Sequence, residues 1–68
     1  MPAADKLNAR IASLTTDQLV EISLRLTLAS SSEEILVCNR AENELQERLS
    51  DADFAAHMDA CEAMLDAA

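Results

Sequence analysis

Sixty-eight residues, half of them hydrophobic but with one aromatic (Phe54) and no glycine, carry five basic and thirteen acidic side chains, a formal charge of −8. So few cations cannot hold a phosphate backbone unaided, and without Tyr or Trp there is no stacking platform, so direct binding to nucleic acid or to an anionic membrane is not expected. The lack of glycine argues against hairpins, phosphate loops and dinucleotide turns, which need positive φ or close backbone approach.

The first predicted helix runs from about Ala4 to Ser13, with Leu7, Ile11 and Leu14 at i, i+4 and i+7 and Asp5 in its first turn, where the helix dipole favours an anion. Thr15 and Gln18 then have the spacing of a capping box, and Leu14 and Leu19 that of the accompanying hydrophobic staple.

The helix they open, residues 16–29, organises the chain. Leu19, Ile22, Leu26 and Ala29 share one face; Val20, Leu24 and Leu28 share another, leaving a narrow stripe with Glu21 and Arg25 as an i,i+4 ion pair. A helix apolar on two faces needs more cover than one neighbour gives. It is therefore predicted as the central helix of a bundle, with Val20, Leu24, Leu28 and the off-face Leu36 forming a homodimer seam. The rival reading is a strand, because Val20, Ile22, Leu24, Leu26 and Leu28 also alternate strictly. No other segment alternates, so such a strand would have to pair across a dimer, and the helix is preferred.

The helix is expected to stop at Ser30, and Ser31 with Glu34 marks a new start after a very short turn. The third helix narrows to an apolar face of Cys38, Ala41, Leu45 and Leu49. The staple spacing recurs in Leu49, Ser50, Asp53 and Phe54, opening a fourth helix from about Asp51 to Asp66. Its predicted core seam is Phe54, Met58, Cys61 and Leu65. Ala56, Ala60, Ala63 and Ala67 form a small-residue strip, and Asp59, Glu62 and Asp66 form an acidic ridge. Short connections between helices imply antiparallel neighbours. The expected fold is all-α: one domain over residues 1–68, a compact antiparallel bundle of three main helices plus a short N-terminal one, dimeric because a chain this small has a marginal core.

Chemistry is sparse. His57 and Cys61 lie at i,i+4 and Cys38 faces the core from the third helix, so three soft ligands could converge on zinc. No pair has zinc-finger spacing, however, and free Cys usually packs as a small hydrophobe. Neither metal nor cofactor is expected, His57 is placed half-exposed at the edge of the seam, and Met58 and Met64 are read as gap fillers. A Cys–His nucleophile would need a pocket and an oxyanion site that so small a bundle has little room for. The chain is accordingly expected not to be an enzyme. The ridge of Asp59, Glu62 and Asp66, joined by Glu44 and Glu47, would form a negative surface suited to a basic partner protein. The alternative is an adaptor homodimer whose carboxylates serve only solubility.

In size, charge and cap-rich helices the chain resembles the small acidic helical proteins of bacteria, phages and plasmids, through its L-T-T-D-Q-L-V-E-I opening and its E-R-L-S-D-A-D-F junction. Some proteins of that kind, anti-CRISPR and other anti-defence inhibitors among them, block a nucleic-acid-binding partner by presenting negative charge. The resemblance implies an inhibitor and carries no residue roles. With no apolar run behind a basic start, no signal peptide is expected; no run of apolar residues is long enough to span a membrane, and two cysteines make no disulfide framework. A cytoplasmic location with reduced thiols is expected.

Overall fold

The protein is described by a computed structural model over residues 3–67; Met1 and the side chain of Asp5 lie outside the described residues. It is all-helical, with α1 (Ala3–Ser13), α2 (Thr16–Leu26), α3 (Ser32–Arg48) and α4 (Asp51–Ala67), and no strand among the described residues. The alternation from Val20 to Leu28 is thus carried mostly by a helix, and the strand reading falls.

Local capping chemistry sets the starts. At α2, the Gln18 amide donates to Thr15 Oγ1 (3.1 Å) and the Thr15 amide donates to Gln18 Oε1 (2.8 Å), a complete capping box. At α3 the Glu34 amide donates to Ser31 Oγ (3.2 Å), but the Glu34 carboxylate accepts from the same hydroxyl instead of from the Ser31 amide. That box is therefore half formed. At α4 the Asp53 amide donates to Ser50 Oγ (3.2 Å).

The end of α2 differs from expectation, at Leu26 rather than Ser30. The Thr27 hydroxyl donates to the Ser23 carbonyl (2.7 Å), which the next helical turn would otherwise use, while the Thr27 and Ala29 amides reach back only three residues, to Leu24 and Leu26. Such side-chain competition with the backbone loosens a helix, and residues 27–30 form the turn into α3.

The aliphatic core is built by α1, α2 and α3: Ile11, Leu19, Ala41 and Leu45 are buried, with Leu7, Leu14, Val20, Ile22, Val37, Leu49 and Phe54 packed around them. Leu14, Leu49 and Phe54 of the two staple spacings all pack against the core that holds fully buried Leu19. Arg48, in the last turn of α3, ties this unit together. Its guanidinium donates to the Ala12 (3.0 Å) and Leu14 (2.7 Å) carbonyls at the α1–α2 corner and pairs with Glu44 (2.9 Å). Carbonyls left over at a helix C-terminus are thereby satisfied.

α4 lies against α2 and α3 with its inward face centred on His57 and Cys61, both buried. This corrects two expectations. His57 is 8% exposed rather than half-exposed, and Leu65, expected in the seam, is 53% exposed. The inward face runs through Phe54, His57, Cys61 and Met64, because a polar partner on α2 draws the histidine in.

Candidate functional site

α4 carries Asp51, Asp53, Asp59, Glu62 and Asp66 and no Lys or Arg. Asp59, Glu62 and Asp66 are all exposed, Asp59 and Asp66 on the helix face opposite His57 and Cys61 and Glu62 toward its edge. Glu62 forms part of the wall of a groove of about 220 Å³ between the C-terminal end of α2, the start of α3 and the last turns of α4. Leu26, Ile35, Met58 and Leu65 make its apolar sides, Cys38 and Cys61 its floor, and Glu42 its second carboxylate.

Glu44 and Glu47 are not brought to this surface. They line a depression of about 120 Å³ on the α1 side of α3, with Asn8, Arg40 and Asn43, across the buried α3 seam from Glu42. Glu44 is half-buried and held by Arg48, so its charge is engaged in the fold. The expected dimer seam is likewise divided. Val20 packs on the chain's own core and Leu24 is half-buried, whereas Leu28 and Leu36 are 50% and 46% exposed. A third groove, about 350 Å³, lies between α1, α2 and α3 and is aliphatic apart from Arg10 and Arg25 at its rim.

Behind the α4 groove His57, Cys61 and Cys38, which the sequence already brings toward one another, meet in a buried polar cluster around Ser23, a residue the sequence analysis does not single out. Ser23, fully buried on α2, places its Oγ 2.9 Å from His57 Nε2 and 3.9 Å from Cys61 Sγ, and Cys61 Sγ is 3.7 Å from the same imidazole nitrogen. The Ser23 carbonyl accepts from the Cys38 thiol at 3.7 Å as well as from Thr27. Burial pushes the Cys38 thiol up from its ordinary range, and the nearby Glu42 carboxylate adds to the effect. Both cysteines are free. Ser23 and His57 have the separation of a nucleophile and its base, but with Ser23 fully buried no substrate reaches the hydroxyl in this conformation. The cluster joins α2 to α3 and α4. Its sequence signal was a serine in register with Leu19 and Leu26 on α2, facing a polar His57–Cys61 pair on α4.

Among the described residues, no group of three or more His, Cys, Asp or Glu side chains is arranged to hold a metal ion, and no helix is long and apolar enough to cross a membrane. Comparison with known proteins finds no matching family model, no matching curated protein and no matching solved structure.

Proposed function

We propose that this is a non-enzymatic interaction protein that presents the outer face of α4 to the basic surface of a partner protein. The observation that carries this reading is the exposure of Asp59, Glu62 and Asp66 on a helix with no cation of its own. Carboxylates in a row repel one another, at a few tenths of a kcal/mol per close pair, and none of these three has an ion-pair partner among the described residues. A basic surface supplies what they lack and speeds encounter with it. An inhibitor that occupies a basic nucleic-acid groove in the cytoplasm is the form that the resemblance to small acidic helical proteins suggests. In this reading the helices run antiparallel and the chain does not touch nucleic acid itself.

A second reading, an adaptor homodimer, is favoured by the exposed Leu28 and Leu36. Replacing Asp59, Glu62 and Asp66 together by Asn, Gln and Asn separates the two. With the wild type and the triple variant as baits in native-host extract, the acidic-face reading expects a basic protein retained by the wild type at low salt. The variant should hold it several-fold less well at an unchanged or higher melting temperature. Equal retention at every salt concentration would transfer the function to the adaptor.

A further inference from the structure

We infer that the groove between the end of α2, the start of α3 and the last turns of α4 seats an amphipathic basic helix of a partner protein, its apolar residues between Ile35 and Leu65 and its Lys or Arg over Glu42 and Glu62. This deepens the acidic-face reading above and rests on it. Ile35 and Leu65 stand on opposite banks, 44% and 53% exposed, on two different helices. Leu28, half-exposed, belongs to the turn that forms the groove's end. Large aliphatic side chains left open on facing banks mark an interaction surface rather than scattered surface residues.

The size and charge of the groove select the occupant. At about 220 Å³ it is smaller than the clefts that enclose cofactors or drug-sized ligands, about 300–1,000 Å³. It does suit a few protruding side chains, as in helix-in-groove recognition, where residues at i, i+3, i+4 and i+7 insert. Among the described residues its charged lining groups are Glu42 and Glu62, both negative, and Asp59 and Asp66 flank Glu62 about one turn away along α4. An anionic lipid or a nucleic acid is repelled. A second copy docking by two-fold symmetry through this groove would set Glu42 and Glu62 against carboxylates of the same surface. A helix with an apolar stripe flanked by Lys or Arg satisfies both the banks and the rim.

The test uses three synthetic helical peptides about four turns long: one with Leu at i, i+3, i+4 and i+7 and Lys around them, one with Glu in place of every Lys, and one with Gln in place of every Leu. Binding is followed by anisotropy and by methyl NMR of the full chain. The Lys/Leu peptide is expected to bind and to shift the Ile35, Met58 and Leu65 methyl signals. Its affinity should fall about tenfold, or roughly 1.4 kcal/mol, in Ile35→Gln/Leu65→Gln. It should fall several-fold in Glu42→Gln/Glu62→Gln, with that second loss disappearing in about 0.5 M NaCl. Both pairs are checked for retained helix by circular dichroism, and Ile35→Ala/Leu65→Ala replaces the first if it unfolds.

Equal binding of the Lys peptide that lacks Leu, indifferent to Ile35→Gln/Leu65→Gln but lost in the Asp59/Glu62/Asp66 variant, overturns the groove and leaves the acidic-face reading standing. Equal binding of the Glu/Leu peptide overturns the basic occupant. Failure of every Lys peptide to bind removes both readings. Concentration-dependent sedimentation abolished by Ile35→Gln/Leu65→Gln would assign the groove to a second copy instead.

Discussion

Ser23 is a polar side chain at the centre of an otherwise apolar helix face, and it is tolerated because each of its polar atoms has a partner. The hydroxyl meets His57 Nε2, and the carbonyl accepts from both Thr27 and Cys38. Removing the hydroxyl leaves the buried imidazole nitrogen with only the distant Cys61 sulfur. A buried polar group stripped of its partner costs about 1–3 kcal/mol, whereas replacing both partners by apolar groups of similar shape is close to neutral. Ser23→Ala is therefore expected to destabilise the fold by about 1–3 kcal/mol in urea denaturation. Ser23→Ala combined with His57→Leu should cost less than the two single changes added together. Strict additivity would mean that the 2.9 Å contact contributes nothing to folding.

At the scale of the helix, starts are local and ends are not. Thr15 with Gln18 and Ser50 with Asp53 were legible in the sequence because a cap needs only neighbours three residues away. The inward seam of α3, Cys38, Ala41 and Leu45, was legible for a similar reason, since helical periodicity alone fixes it. The end of α2 was hidden in a hydroxyl rotamer at Thr27, and the burial of His57 depended on a serine 34 positions away. Neither is written in periodicity. Glu44 pairs with Arg48 at i,i+4 within α3, a spacing that could be read in the sequence as Glu21 and Arg25 were. Arg48 itself reaches 36 residues back to Ala12. Because its fork serves two carbonyls and a carboxylate at once, Arg48→Ala is expected to lower stability by about 2–3 kcal/mol. Arg48→Lys should recover less than half of that, an ammonium being unable to reproduce the fork. Denaturant midpoints at constant m test this, and full recovery by Lys would reduce the role of Arg48 to simple charge.

Taken whole, the molecule is a slab of 39 × 28 × 15 Å, about two helix layers thick. It exposes 4700 Å², against roughly 4,200 Å² for a compact monomer of its mass. Its −8 charge is unevenly spread, with five carboxylates on α4 alone. Self-repulsion of this kind weakens the compact state and is screened by salt. The melting temperature is accordingly expected to rise by a few degrees between about 0.01 and 0.5 M NaCl, while affinity for a basic partner falls. A melting temperature that fell with salt would place net attraction, not repulsion, in the folded charge pattern.

The aliphatic core unites α1, α2 and α3, but α4, seventeen residues long, buries only His57 and Cys61 and lends Phe54 to the core's edge. Cooperative units divide where buried apolar contact is thinnest. α4 is held to α2 and α3 largely through the Ser23–His57–Cys61 cluster, contacts that water can replace, so its amides are expected to exchange with solvent before those of α2 and α3 in native-state hydrogen exchange. A partner bound on α4 would be expected to slow that exchange, so that the order of this helix would report occupancy.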